Sequence, residues 1–453
     1  GWLSNNVRVN YRFMDQRKND VTVQISLIGG ELLETADNRG VTSAARLAWS
    51  RPATKELSSS DIRELMTGKK ISVGGGGGMG GGRGGGRRGG GGGGGGSGDS
   101  ISLTVSGSPT ELETGLQLAY LLLTEPRIEA SAFTQFQTTT RQMLREAFKT
   151  PQGAAMRLVS AAPYPESEIR TRPMTPEQID KLSLASAQAW LGKLIQDSPI
   201  EVVIVGDIDK DKALALVSKY LGSLPERPRV GPELYASLRK IQRPSGPRIF
   251  EKSVDSNTDQ AIVFSGFYGA DESNLPDVRA LNMAARILST RMNRQVREEA
   301  QLVYSIGAGS RAATTYPGFG VFSAQAPTDP HKVEALVAKL ASMYQTFAAD
   351  GPTADELTIA KKQMATTFEE QIKEPSYWMQ RLTQLTYRGT SLDDLASGPA
   401  AYQSLTTDQV KDTFAKYYSK DNAIIVVVTP KPTSGALGSG GQKPSDKTAH
   451  SGD

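Results

Sequence analysis

The sequence predicts an α+β protein of two tandem domains, each a mostly antiparallel sheet covered by helices. Three observations predict this fold class. Short segments alternate between apolar and polar residues, longer segments carry apolar residues three or four positions apart, and a set of features recurs at a fixed offset. The chain has 453 residues, which is long enough for two or more domains.

The repeat has a constant offset of 224 residues (375 − 151, and equally 427 − 203). Three features return at this offset, namely Lys149-Thr150-Pro151 as Lys373-Glu374-Pro375, Arg157-Leu158 as Arg381-Leu382, and the apolar strand 200–203 as 424–427. No gap is needed between the three features. We therefore expect two copies of one domain, each with a long helix that ends at a Lys-x-Pro and a late buried strand.

Composition sets the expected boundaries. Residues 1–221 form the first domain, 222–247 a linker, 248–431 the second domain and 432–453 a disordered tail. The linker interpretation rests on five prolines between residues 224 and 247. Residues 74–98 are almost pure glycine and predict a disordered insertion that decorates a hairpin.

The first domain begins with two segments of period two, Val7–Phe13 and Val21–Leu27, which predict a hairpin or an adjacent antiparallel pair. A helix candidate follows Gly40. In the second domain, an apolar stripe (Leu357, Ala360, Met364, Phe368 and Ile372) predicts a core-facing helix. The strand Gly318–Gln325 is interpreted either as an exposed edge that could pair with an extended peptide or as an ordinary sheet member.

Several classes of protein and site are disfavoured. No stretch approaches ~18 unbroken apolar residues, so no membrane-spanning helix is expected. The chain has no cysteine and two histidines, His331 and His450, which are too few for an ordinary zinc site. His331 follows Asp329-Pro330 at a helix start and is predicted to lie on the surface. The N-terminus lacks an initiator methionine and a signal sequence, and we expect it to be an excised or processed end.

The segment 289–307, STRMNRQVREEAQLVYSIG, predicts a charged helix that gives way to a strand near Tyr304. Arg297 lies on the last helical turns, seven residues before Tyr304. Together with the repeat and the strand order, this segment resembles the arginine–tyrosine segment of the pitrilysin/insulinase family, the inverted-zincin metallopeptidases. In that family the pair belongs to the half of the molecule that carries no metal, so the resemblance implies one half of a clamshell that closes around a chamber.

A second segment, RGVTSAARLAW, stands where catalytic members of that family have H-x-x-E-H on a helix. Ser43, Arg46 and Leu47 occupy those positions and cannot serve as zinc ligands or as a general base. The resemblance therefore implies no cofactor on this chain, which is expected to be inactive alone. It implies zinc on a partner half that bears H-x-x-E-H, cut from the same precursor or present as a separate subunit.

A third ligand of the family is a glutamate on a later helix, and Glu146 stands at that position. Glu370 recurs 224 residues later (370 − 146) in a domain where no ligand is expected. Both are therefore predicted to be helix-surface residues.

The resemblance implies that Tyr304 would hydrogen-bond the tetrahedral intermediate formed at the partner half, while Arg297 would hold the tyrosine or the substrate backbone. The purely structural alternative is that Arg297 pairs with Glu298, Glu299 or a neighbouring helix and that Tyr304 is an interior ring with a satisfied hydroxyl. Arg170, Arg172 and Arg311 are further candidates for lining a chamber.

Two other functions stay open at this point. One is a structural or assembly subunit of the same fold, as in the core subunits of the respiratory bc1 complex, which resemble this family. The other is nucleic-acid binding through the arginines of the glycine tract, Arg83, Arg87 and Arg88, which is disfavoured because the tract contains no aromatic residue. Bacterial members of the family are often exported, which suggests the periplasm or another extracytoplasmic compartment.

Overall fold

The computed structural model describes residues 1–75, 98–256 and 258–431, which form two five-stranded sheets covered by helices. The predicted fold class is confirmed. The strands are β1 (Arg8–Phe13), β2 (Val21–Ile28), β3 (Ile71–Gly75), β4 (Ser100–Gly107) and β5 (Ile200–Gly206) in the first sheet, and β6 (Arg248–Val254), β7 (Ala261–Gly269), β8 (Gly307–Arg311), β9 (Gly320–Thr328) and β10 (Ala423–Pro430) in the second.

The helices of the first repeat precede residue 222. They are α1 (Val41–Ala45), α2 (Leu47–Ser50), α3 (Ser59–Met66), α4 (Leu112–Thr124), α5 (Ala130–Glu146), α6 (Pro151–Ala161), α7 (Pro176–Lys181), α8 (Leu184–Asp197) and α9 (Lys210–Leu221). One short helix, α10 (Ala236–Arg239), lies in the proline-rich segment that leads to the second repeat.

The helices of the second repeat begin at residue 275. They are α11 (Leu275–Met292), α12 (Val333–Asp350), α13 (Ala354–Gln371), α14 (Pro375–Leu382), α15 (Leu385–Arg388), α16 (Leu392–Ala396), α17 (Gly398–Ser404) and α18 (Thr407–Tyr417). Among the residues that the structure describes, none of these helices is long and apolar enough to cross a membrane.

The strand order of the first sheet is β1-β5-β2-β4-β3, with β1 parallel to β5 and the other neighbours antiparallel. The predicted pairing of Val7–Phe13 with Val21–Leu27 is wrong, because β5 lies between those two strands. All seven residues of β5 are buried, whereas β1 ends in the exposed Arg12 and Phe13. The strand that is buried on both faces takes an interior position between β1 and β2, and β1 lies at the edge.

The second sheet repeats this order as β6-β10-β7-β9-β8. The interpretation of Gly318–Gln325 as an exposed edge is wrong, because β9 pairs with β7 on one side and β8 on the other. The edge strands of this sheet are β6 and β8. The backbone groups in the middle of β8 already have a hydrogen-bond partner, because the Ala308 amide donates to the Ser289 hydroxyl at 2.8 Å and that hydroxyl donates to the Ala308 carbonyl at 3.0 Å.

The two domains exchange helices. Helix α6 of the first domain packs its small residues Ala154 and Ala155 against Ile262 and Val426 of the second sheet. Helix α14 and the residues that follow it reciprocate, with Leu382 and Leu385 packed against Met14, Val203 and Val205 of the first domain. The two recurring prolines, Pro151 and Pro375, each begin the helix that crosses over. The repeat therefore produces two reciprocal contacts, α6 on the second domain and α14 on the first, which hold the domains together.

The apolar stripe of α13 is core over only part of its length. Leu357 and Ala360 are buried in the second-domain core, while Met364 and Phe368 are half-buried and line a cavity of about 560 Å³. Ile372 is exposed. The prediction that all five residues are core is wrong at the C-terminal end, where α13 extends beyond the elements that cover it.

Two predicted segments fall largely outside the described residues. Most of the glycine-rich insertion (residues 76–97) and the tail (residues 432–453) lie there. The flanking strands β3 and β4 are antiparallel neighbours, with Gly75 opposite Leu103. The insertion therefore joins the two strands of a hairpin, as predicted from the sequence.

Candidate functional site

The candidate arginine lies where a long helix changes its winding. Helix α11 begins at Leu275 after the capping residue Asn274, with Pro276 in its first turn, and its buried face ends at Met292. The chain then continues as a π-helical turn from Asn293 to Glu299. Only Val296 is buried in this turn, and Arg297 is exposed. Wide turns of this kind occur mostly as single interruptions of α-helices and often at functional sites.

The backbone beyond this turn is fixed on both sides of Tyr304. Gln301 has a left-handed conformation with φ 50°, and its carbonyl accepts a hydrogen bond from Lys332 at 2.9 Å. The Leu302 carbonyl accepts one from the Thr328 hydroxyl at 2.7 Å, and Val303 forms an isolated bridge with Thr328. Val303 and Ile306 are buried. Tyr304 thus lies between two anchored residues.

Tyr304 is 88% exposed, the most exposed of the large apolar and aromatic residues that the structure describes. It lies at a bend before β8 rather than at the start of a strand, so the predicted strand start was three residues too early. Neither Tyr304 nor Arg297 forms a side-chain hydrogen bond or ion pair within the described ranges. Glu299 faces Arg294 instead, at 3.7 Å. The purely structural alternative, an interior tyrosine and a paired arginine, does not describe this segment, in which both side chains are exposed.

The helix at the position of the metal motif carries arginine–carboxylate pairs. Arg46, between α1 and α2, lies 3.2 Å from the Glu31 carboxylate and donates to the Ser100 carbonyl at 3.2 Å. Arg39 pairs with the fully buried Glu34 at 2.5 Å and lies 3.8 Å from Glu31. The carboxylates beside this helix are therefore neutralised by guanidinium groups. Ser43 and Leu47 are half-buried.

Of the residues that the structure describes, no three histidine, cysteine, aspartate or glutamate side chains lie together as a possible metal site. Glu146 is exposed and pairs with Lys149 at 2.6 Å, and Glu370 is also exposed. Both therefore lie on helix surfaces, as predicted. His331 is exposed beside its helix-capping Asp329, again as predicted.

A cleft of about 690 Å³ opens between the two domains. Arg170 and Arg311, two of the three arginines proposed from sequence to line a chamber, both line it. Arg172 does not, because its guanidinium donates to the carbonyls of Ala161 and Tyr164 at 2.9 and 2.7 Å. The third arginine is therefore a structural clamp.

A buried ion pair closes one end of this cleft and joins the two domains. Asp99 has a fully buried side chain and pairs with Arg388 at 2.8 Å. The Glu272 carboxylate lies 3.9 Å from Arg388, and one of its oxygens is buried without a hydrogen-bond partner. Burial raises the pKa of Glu272, although the nearby Arg388 opposes this shift.

Comparison with known proteins gives this geometry a context. Residues 181–364, which include α11, the π-helical turn and Tyr304, match the family model described as the peptidase M16 inactive domain. Residues 181–364 are therefore similar to the peptidase M16 inactive domain. The predicted resemblance to the non-catalytic half of a pitrilysin-type peptidase is confirmed.

Solved structures share the fold of this chain over 95% of its length. A peptidase M16 inactive domain from Pseudomonas fluorescens is 17% identical with a TM-score of 0.78, and the match covers 98% of that chain. The periplasmic protease PqqL of Escherichia coli is 20% identical with a TM-score of 0.75, and the match covers 45% of that chain. A protease from Helicobacter pylori is 15% identical with a TM-score of 0.78 and 98% coverage.

A curated relative gives the same picture. The chain is 23% identical over 281 residues to the probable zinc protease PqqL of Escherichia coli strain K12, which is 62% of this chain and 28% of PqqL. In structure the chain spans about half the length of PqqL. It therefore corresponds to one part of a longer protease of the M16 type.

Four residues in or beside the cleft had no signal in the sequence, namely Asp99, Glu272, Tyr316 and Arg388. Asp99 directly follows the glycine tract, and Arg388 ends a short helix 289 residues later. No local pattern marks such a pair, because its members meet only when the domains dock.

Proposed function

We propose that this chain is the non-catalytic half of a zinc metalloendopeptidase. It closes the proteolytic chamber, binds the peptide substrate and supplies Arg297 and Tyr304 to the zinc site of its partner half. The observation that carries this proposal is Tyr304, an 88% exposed phenol on a backbone that is held by Leu302 and Val303 before it and by the buried Ile306 after it. A phenol presented to solvent on a fixed backbone, with no hydrogen-bond partner among the described residues, is free to donate to a group on a partner surface.

The proposed chemistry assigns one task to each side chain. Zinc on the partner half would polarise the scissile carbonyl and activate the attacking water. As the carbonyl carbon becomes tetrahedral, negative charge develops on its oxygen, and the Tyr304 hydroxyl donates a hydrogen bond toward that charge. Arg297 has a permanently charged fork of donors, which would hold the substrate backbone or the tyrosine hydroxyl in place.

The rigid backbone matters for this task. A donor stabilises a transition state most when it needs no reorganisation at the moment of reaction. Val303 and Ile306 are buried on either side of Tyr304, and Val296 is buried beside Arg297. The two side chains would therefore be presented by supports that stay in place while the partner half docks.

The proposed partner is a half that bears H-x-x-E-H, from the same precursor or from a separate subunit. The match to about half of PqqL supports this division. The arginine–carboxylate network around Arg46, Arg39 and Glu31 also supports it, since guanidinium groups engage the carboxylates at the place where a metal ion would need ligands. PqqL is described as a periplasmic protease, and we propose an extracytoplasmic location for this chain by analogy.

A pull-down with the full chain from its native extract tests the assembly. We expect recovery of a chain that carries H-x-x-E-H, together with zinc and peptidase activity that neither half has alone. Recovery of respiratory membrane subunits without peptidase activity would instead favour a structural subunit. Retention of RNA that falls steeply with salt and disappears on deletion of residues 76–97 would favour nucleic-acid binding.

A further inference from the structure

Arg311 is the available cation of the cleft between the domains. It ends β8, its side chain is exposed, and it forms no hydrogen bond or ion pair with the other described residues. The other two arginines that line the cleft are engaged, since Arg170 pairs with Glu168 at 2.6 Å and Arg388 pairs with Asp99 at 2.8 Å. A ligand with negative charge would therefore find one unpaired guanidinium.

An aromatic wall lies in the same cleft. Tyr164 stacks on Phe319 with ring centres 4.8 Å apart and meets Tyr316 edge-on at 5.7 Å. All three rings line the cleft together with Arg311. The wall offers apolar surface beside a charge, a combination that favours ligands with both an apolar group and an anionic group.

The loop that carries this wall is preorganised. Arg388 donates to the Thr314 carbonyl at 3.0 Å, and Arg239 donates to the Thr315 carbonyl at 3.0 Å. The Gly318 amide donates to the Asp271 carboxylate at 2.6 Å. These contacts, from the second domain and from the proline-rich segment before it, hold the loop backbone in place, so a ligand would bind with little loss of loop entropy.

We propose that this cleft is a substrate subsite, in which Arg311 binds a carboxylate and the wall of Tyr164, Tyr316 and Phe319 receives a neighbouring apolar or aromatic side chain. The subsite rests on the proposed function, because it assumes that the ligand is the peptide to be cleaved. The carboxylate belongs either to an acidic side chain or to the C-terminus of the peptide. A guanidinium binds both through the same pair of parallel hydrogen bonds.

The chain geometry also limits the position of the cleaved bond. Arg311 follows Tyr304 by seven residues, so their backbones are at most about 25 Å apart. An extended peptide that spans both sites would have its carboxylate no more than about seven residues from the scissile bond. Peptides whose acidic group lies much farther from that bond cannot use both sites at once.

Direct binding to the isolated full-length chain tests the subsite. The probes are acetylated, fluorescently labelled pentapeptides that end in phenylalanine followed by glutamate, glutamine or lysine, each with a free or an amidated C-terminus. We expect the amidated glutamate peptide, or the glutamine peptide with a free C-terminus, to bind at least about tenfold more tightly than the amidated glutamine peptide. Which of the two binds identifies the source of the carboxylate. Equal affinity for all six peptides, with free and amidated C-termini alike, overturns the proposal.

Variants assign the effect to Arg311. Arg311→Gln should remove the preference for the carboxylate, and Arg311→Lys should keep part of it. Arg145→Gln, at an exposed arginine that does not line the cleft, should change nothing. A carboxylate preference that survives Arg311→Gln contradicts the assignment. In an assembled protease Arg311→Gln should raise KM at constant kcat, whereas loss of the Tyr304 hydroxyl should lower kcat, so failure of the subsite and failure of the proposed function are distinguishable.

Discussion

Removal of Arg388 should destabilise the chain far more than neutralisation of its partner Asp99. Arg388→Met deletes the 2.8 Å ion pair and leaves the Asp99 carboxylate, which is 0% exposed, buried without the cation that neutralises it. Breaking a buried pair in this way costs about 3–5 kcal/mol. Asp99→Asn instead leaves Arg388 with the Thr314 carbonyl at 3.0 Å, the Gln384 amide oxygen at 2.9 Å and the partly exposed Glu272 carboxylate. Its cost should be about 1–3 kcal/mol.

Equilibrium unfolding in guanidinium, followed by tryptophan fluorescence, measures both values. The double variant should lose less free energy of unfolding than the sum of the losses of the two single variants, because Asp99→Asn removes the buried charge that Arg388→Met leaves without a partner. Arg145→Met, at an exposed arginine, serves as the control and should change the free energy of unfolding by less than about 0.5 kcal/mol. A cost below about 1 kcal/mol for Arg388→Met, or an equal cost for Asp99→Asn, would refute the view that this pair locks the domains together.

Three further predictions concern pH, backbone and metal. Arg291 donates two hydrogen bonds of 2.6 Å to Glu356 and lowers the pKa of that carboxyl to about 2, so its stabilisation is complete above the unfolded pKa of about 4.5 and is lost as pH falls toward 2. Glu356→Gln should therefore reduce the loss of stability at acidic pH by up to about 2 kcal/mol, a value lowered for solvent screening because the side chain is 27% exposed. An unchanged loss of stability at acidic pH would contradict this assignment. Gly107→Ala should lower the free energy of unfolding by more than about 2 kcal/mol, because Gly107 has φ +141° and an added Cβ would lie 2.1 Å from the Lys70 carbonyl oxygen. The control is Gly192→Ala in the middle of α8, where an added Cβ meets no other atom, and it should be neutral or stabilising in the same denaturation assay. Elemental analysis of the purified chain should find far less than one zinc per chain, and a chelator should leave its melting temperature unchanged; stoichiometric zinc would contradict the interpretation of the Ser43–Leu47 helix.

The repeat and the fold class could be predicted because their signals are local. Pro151 and Pro375 mark helix starts, and the runs at β5 and β10 are apolar on both faces. The strand order could not be predicted, because it depends on which strand pairs with both β1 and β2 and so separates them. The order is decided by burial of β5 on both faces, a property of the finished sheet rather than of any single strand.

The candidate site divides in the same way. Arg297 and Tyr304 were found through spacing and family resemblance, but the exposure of Tyr304 depends on the buried anchors Val303 and Ile306. Arg170 and Arg311 were candidates from the sequence, but their meeting in one cleft had no signal there, because they come from different domains. The two arginines come together because α6 and α14 each pack on the other domain. That packing is a tertiary interaction, which the sequence of either helix alone does not indicate.

The central claim is that Tyr304 acts in catalysis by a partner half, and Tyr304→Phe in the assembled protease tests it most directly. The two halves would be combined at saturating concentration, and hydrolysis of a quenched fluorescent peptide would give kcat and KM. Loss of one donor to the developing oxyanion should lower kcat by about 10²–10³-fold, with KM and assembly unchanged. Ser305→Ala, at the adjacent exposed residue, should keep full activity. A Tyr304→Phe enzyme that assembles and retains the parental kcat would contradict the claim.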